Sequence, residues 1–175
     1  DGGAVSGTLN DGTTITTPSI SQQPQSTTVT EGQDATFTVE ASAGSETPTY
    51  QWQQSTDNGS SWTNIESETS ASYTINSTNT SMNGYQYRCV VTDSGVSVIS
   101  APATLTVNEP VTYAITVHAS AGGTATADKT AAAEGETVNL TATPASGYHF
   151  DGWSVVSGTV TIQNNQFIMP AGNVG

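Results

Sequence analysis

Asn83-Gly84-Tyr85-Gln86-Tyr87-Arg88-Cys89-Val90-Val91 is the stretch whose reading decides the fold. Tyr85, Tyr87 and Cys89 alternate with Gln86 and Arg88, the period of a strand with one buried face. Asn83-Gly84 in front of it has turn chemistry. Upstream, Tyr50-Gln51-Trp52-Gln53 repeats the pattern, with aromatics on one side and glutamines on the other. The stretch speaks to architecture and carries no chemistry of its own.

A Trp on one strand and a Tyr two residues before a Cys on another resemble the core of immunoglobulin-type domains. The resemblance covers residues 18–108 and implies a Greek-key β-sandwich. Its opening looks like that of bacterial immunoglobulin-like domains. A proline-bearing first strand, Pro18-Ser19-Ile20-Ser21-Gln22-Gln23-Pro24, precedes Val29-Thr30-Glu31-Gly32 and then Ala35-Thr36-Phe37-Thr38-Val39-Glu40-Ala41. The resemblance puts Val39, 13 residues before Trp52, where such domains often carry their first core cysteine, and Cys89 where they carry the second. It gives Tyr87 the tyrosine-corner place. Val39, Trp52, Tyr87 and Cys89 are therefore the expected core. Ser72-Tyr73-Thr74-Ile75, Val96-Ser97-Val98-Ile99 and Ala103-Thr104-Leu105-Thr106-Val107 supply the remaining strands.

Composition agrees with an all-β chain. Thr and Val suit strands, Gly and Asn suit turns, and no stretch keeps a helical period. Fifteen acidic residues face only Arg88 and Lys129, a formal charge of −13 over 175 residues. That surface repels phosphate backbones and anionic lipid, which argues against nucleic-acid partners. No run approaches the roughly 20 apolar residues of a membrane span, so no membrane insertion is expected of this chain. Asp1 follows no signal peptide, and the chain reads as a mature or excised fragment whose anchor lies elsewhere. Cys89 is the sole cysteine, which excludes an intrachain disulfide. As a nucleophile it would need a nearby base, and His118 and His149 both fall in the other domain; it reads as a small core residue.

Ser55-Thr56-Asp57-Asn58-Gly59-Ser60-Ser61-Trp62 fits the Asp-box pattern of sialidase-type propellers. The pattern marks a hairpin in which Asp caps turn N–H groups, Gly takes the left-handed conformation and Trp folds back. A propeller needs the box repeated, so one copy reads as the turn after the Trp52 strand. A calcium or sugar site at Asp57 lacks the other oxygens of a shell. Residues 1–17 are either a hairpin around Asn10-Asp11-Gly12 or the end of a preceding module and its linker.

Asn108-Glu109-Pro110 separates this domain from a second pattern over residues 111–175, with 109–110 as the linker. Gly122-Gly123-Thr124-Ala125-Thr126-Ala127, Glu134-Gly135-Glu136-Thr137-Val138-Asn139-Leu140-Thr141-Ala142-Thr143-Pro144, Gly147-Tyr148-His149-Phe150-Asp151-Gly152-Trp153 and Phe167-Ile168-Met169-Pro170-Ala171-Gly172-Asn173-Val174 follow in order. That succession resembles the divergent internalin-B-type repeat of bacterial surface proteins. Such repeats continue with another Val/Thr strand after Met-Pro-Ala; here the chain stops at Gly175, so either it is cut at a domain edge or an edge of the sheet is left unpaired. His149 and Asp151 point the same way along an extended strand and read as solvent-facing positions, since a metal needs three or more ligands. Tyr148, Phe150 and Trp153 read as core, with a sugar-stacking platform as the other reading. A Lys129–Asn isopeptide, known in some Gram-positive surface modules, requires burial that the polar Asp128-Lys129-Thr130 context argues against.

No nucleophile–base set, phosphate loop or metal motif can be assembled, so no catalytic residue, metal site or cofactor is expected. The resemblances imply a non-catalytic extracellular module of a bacterial surface protein, acting as stalk, spacer and adhesion surface. Its expected partners are neighbouring modules of the same chain and a host or bacterial surface protein or glycan. Two alternatives stand beside it. One is a carbohydrate-binding accessory module of a secreted enzyme, with Trp62, Tyr148 and Trp153 as candidate binding residues. The other is a self-assembling subunit completed by strand addition.

Overall fold

The computed structural model describes residues 6–8, 14–42 and 47–175, with side chains from residue 17 onward. The chain is all-β: among the described residues it forms seventeen short strands and one turn of 3-10 helix, Thr80–Met82. It divides into two compact units, Asp1–Glu109 and Pro110–Gly175.

The first unit opens with a hairpin of β1 (Ser6–Thr8) and β2 (Thr14–Thr16). The Asn10-Asp11-Gly12 turn proposed between them lies outside the described residues. A sandwich follows. One layer pairs β3 (Ser19–Gln22) with β6 (Glu40–Ser42), and β5 (Ala35–Thr38) with β9 (Ser72–Ile75). The other layer runs β4 (Thr27–Thr30), β12 (Ala103–Asn108), β10 (Gln86–Asp93), β7 (Thr49–Ser55) and β8 (Thr63–Asn64), with β11 (Val96–Ile99) also on β10. The final strand β12 pairs in parallel with the early strand β4, Leu105 opposite Thr27, and every other pairing in that layer is antiparallel. This is the strand order of an immunoglobulin-like sandwich.

The core follows from the two-residue period. In β10, Tyr87, Cys89, Val91 and Asp93 point inward while Gln86, Arg88, Val90 and Thr92 are half-exposed. Cys89 stands opposite Trp52, and both are fully buried with Phe37, Val39 and Leu105. Tyr87 lies 4.9 Å from Phe37 and 5.6 Å from Tyr73, centroid to centroid, and Trp52 lies 6.0 Å from Tyr73. Such ring pairs contribute about 0.5–1.5 kcal/mol each beyond the area they bury. The Trp52 indole N–H donates to the Ser70 carbonyl at 2.9 Å, so the ring is buried without an orphaned donor. At the corner before β10, Asn83 Oδ1 accepts from the Val107 N–H at 3.0 Å and Gly84 N donates to Leu105 O at 2.9 Å. The strand expected through Phe37 and Ala41 is interrupted at Val39, whose N–H turns to Ala71 O at 2.9 Å.

The second unit pairs β13 (Thr112–Ala114) with β15 (Ala131–Ala133) and forms a separate sheet β14 (Gly123–Ala127), β16 (Thr137–Pro144) and β17 (Gln166–Ile168). Ile115, Ala132, Val138, Leu140, Phe167, Met169 and Val174 make its core. The tail returns to Ile115: Val174 bridges it in parallel, its N–H donating to Ala114 O at 3.0 Å and its carbonyl accepting from Thr116 N at 2.9 Å, while β14 and β17 remain the edge strands of their sheet. One expectation is corrected here. Residues 147–153 form no strand, because Gly147 and Gly152 carry φ of +85° and +149° and no ladder partner lies alongside.

Candidate functional site

The Asp-box turn of the first unit spends its polar groups on itself. Ser55 Oγ donates to Asp57 Oδ1 at 2.8 Å and accepts from Gly59 N at 2.8 Å. Asp57 accepts from Ser61 N at 2.8 Å and from Ser61 Oγ at 2.6 Å. The Ser61 hydroxyl and N–H, together with the Ser55 hydroxyl, stabilise the carboxylate and hold its pKa down to about 2. Asn58 and Gly59 take φ of +57° and +85°, as the turn requires. Trp62 folds back, its indole N–H donating to Gly59 O at 3.1 Å, and the Arg88 guanidinium carbon sits 4.1 Å over its ring. Trp62 is half-buried with one face taken by a cation, which is how a structural Trp is used.

Acids elsewhere are used similarly. Asp128 accepts from Asn139 N and Nδ2 at 2.9 and 2.6 Å, and the Asn139 side chain is the main reason its pKa is lowered. Glu136 accepts from Lys129 Nζ at 2.8 Å and from Ala133 N at 2.7 Å, and the Lys129 hydrogen bond lowers its pKa. Glu31 and Asp34 hold the turn at Ser77 and Thr80. Cys89 has its thiol pKa pushed up to about 11 by burial. Lys129 is part-exposed in its ion pair rather than buried beside an asparagine.

The segment Gly147–Trp153 is different. Tyr148 is 61% exposed and Phe150 43%, so the expectation that these rings are core is corrected. Val138, Leu140 and Phe167 already fill the space beneath the sheet, and only Trp153 of the three packs against that cluster. Trp153 is half-buried, donates from its indole N–H to Asn165 Oδ1 at 2.9 Å, and meets Phe150 edge to face at 5.2 Å. His149 Nε2 lies 2.8 Å from Asp151 Oδ1, both side chains exposed. Tyr148 lies across Gly122. These residues and His118 line one open groove of about 230 Å³ within the second unit. Sequence reasoning named Tyr148 and Trp153 but gave Gly122 and His118 no role at the groove; the pair Gly122-Gly123 was the available signal, since doubled glycine permits close approach of another group. Among the described residues no group of three or more His, Cys, Asp or Glu side chains could hold a metal ion. No helix there is long and apolar enough to cross a membrane.

The family model described as domain of unknown function (DUF8696) matches residues 7–109, more than half of the chain. The chain belongs to that family. Residues 113–175, within the second unit, match the model of the divergent InlB B-repeat domain. A curated relative, endoglucanase C of Cellulomonas fimi, is 39% identical over 103 residues, 59% of this chain. The match spans only 9% of that enzyme's length. Among solved structures, the N-terminal four Ig domains of Dscam1 isoform 6.9 are 16% identical with a TM-score of 0.47, covering 82% of this chain and 33% of that one. Sidekick-1 immunoglobulin domains 1–5 are 24% identical with a TM-score of 0.41, covering 58% and 24%.

Proposed function

We propose that this chain is a non-catalytic module of a modular extracellular protein, with the sandwich as a spacer and the B-repeat domain as the surface that meets a partner. The observation that supports the reading is how five of the fifteen acids are used. Asp57, Asp128, Glu136, Glu31 and Asp34 each accept hydrogen bonds from the turns they hold, and the one thiol is buried. An acid satisfied by its own turn does not serve as a general acid or base without dismantling that turn. The partners that fit are neighbouring modules of the same chain and a surface protein or glycan.

The similarity to endoglucanase C favours a particular form of this reading, an accessory module carried by a polysaccharide-acting enzyme. The test has two parts. Fractionation of producing cells with immunodetection should find the protein outside the membrane. The purified chain should release no reducing ends from soluble glucans; either a cytosolic location or turnover would overturn the reading.

A further inference from the structure

Tyr148 is the most exposed aromatic of its segment, yet its ring has a fixed seat. It lies on Gly122, where a β-carbon would collide with its Cγ, Cδ1 and Cε1 atoms. Gly122 has a φ of +111°, a conformation that disfavours any side chain, so the seat depends on glycine twice over. The two ends are tied: Ala145 N donates to Gly122 O at 2.8 Å and Tyr148 N donates to Ala145 O at 3.0 Å. One face of the ring is therefore used by backbone and the other is offered to solvent. Phe150, held edge-on by Trp153, lines the same groove, as does the His149–Asp151 pair.

We propose that this groove binds a neutral saccharide chain, with Tyr148 as the stacking platform, Phe150 and Trp153 as a second apolar contact, and His149 and Asp151 as partners for ring hydroxyls. The proposal rests on the extracellular-module reading above. A pyranose ring has an apolar face of C–H bonds and a rim of hydroxyls. An aromatic face held in place, with donors and acceptors beside it, complements that surface without the ordering cost of a free side chain. Charge selects among sugars. The chain carries −13, and its two cations are engaged, Lys129 by Glu136 and Arg88 over Trp62. No lysine or arginine meets a uronate, sulfate or phosphate in the groove, and Asp151 repels one.

The test is affinity electrophoresis and calorimetry of the whole chain with cellohexaose, xylohexaose and mannohexaose as neutral probes and hexagalacturonate as the anionic one. At least one neutral probe should bind and the anionic one should not. Tyr148→Ala should weaken that binding by about tenfold or more, while Tyr148→Phe keeps it. Trp62→Ala, in the other unit, should leave it unchanged. Absence of binding to all three neutral probes, binding that survives Tyr148→Ala, or preference for hexagalacturonate would each overturn the proposal. Far-UV circular dichroism of the variant confirms folding. Reducing ends are assayed in the same mixtures, so hydrolysis would sink the non-catalytic reading independently of whether the groove binds.

Discussion

Cys89 and Trp52 face each other directly across β10 and β7, and neither exposes any surface. The pair sits where an immunoglobulin-type sandwich commonly places half of a disulfide against its central Trp, so packing alone fills that space here. Burial holds the thiol in its protonated form, with a pKa near 11. Cys89 should therefore resist thiol reagents in the native protein and react on unfolding. Cys89→Ser, which puts a hydroxyl into this apolar site, should cost about 1–3 kcal/mol and exceed the cost of Cys89→Ala. Trp52→Ala should cost about 3–5 kcal/mol. Denaturant unfolding of the sandwich measures all three; a serine variant as stable as wild type would contradict the packing account.

Val39 shares that core, 1% exposed. Val39→Cys should form a disulfide with Cys89 under oxidising conditions and raise stability by about 2–4 kcal/mol. Free-thiol titration before and after reduction reads the bond. Two free thiols after oxidation would show that the Val39 and Cys89 side chains do not meet.

Asp57 sets a pH window. Its folded pKa, about 2, lies below the ordinary 3.8 because Ser61 and Ser55 donate to the carboxylate. A lowered folded pKa means stability that is present above pH 3.8 and lost as pH falls through about 2. Asp57→Asn should accordingly be less stable than wild type at pH 6, with the gap closing as pH falls from 4 toward 2 (about two units). A gap independent of pH would mean that Asp57 acts through shape rather than charge.

Arg88 and Trp62 test whether the Asp-box tryptophan is anchored by its cation. The guanidinium also donates from Nε to Gln53 Oε1 at 2.8 Å, which fixes it over the ring. A double-mutant cycle of Arg88→Met and Trp62→Leu should give a coupling of about 0.5–1 kcal/mol, the range for part-exposed cation–π pairs. Zero coupling would mean that the cation does not anchor the ring and that the Trp62 bond to Gly59 O holds it instead.

The sandwich was legible because its period-two strands carry large residues on one side only. Tyr87, Cys89 and Trp52 have no polar alternative to the core, and the Ser55–Trp62 turn announces its conformation through residue types that act locally. The groove was not legible for the opposite reason. Tyr148 and Phe150 alternate as a half-buried strand would, with Trp153 three residues further on, but alternation marks a face without saying what covers it. What decides the matter is Gly122, distant in sequence, which seats Tyr148 from beneath, and a core already closed by Val138, Leu140 and Phe167. The pairing of Val174 with Ile115 was hidden in the same way, since a parallel contact between chain segments so far apart leaves no local pattern.

Gly122 therefore offers the sharpest single substitution in the second unit. Gly122→Ala meets two penalties, a left-handed φ of +111° and the ring of Tyr148. Relief of the collision requires Tyr148 to leave its seat, because Ala145 N–H holds the Gly122 carbonyl and restrains the backbone. The variant should lose about 1–3 kcal/mol in the second unit. Its Tyr148 ring resonances should also move, while those of Trp52 and Tyr87 stay in place. Two-dimensional NMR of the aromatic region reads the displacement, and thermal unfolding reads the cost. Unmoved Tyr148 signals together with an unchanged melting temperature would mean that the ring does not rest on Gly122 in solution.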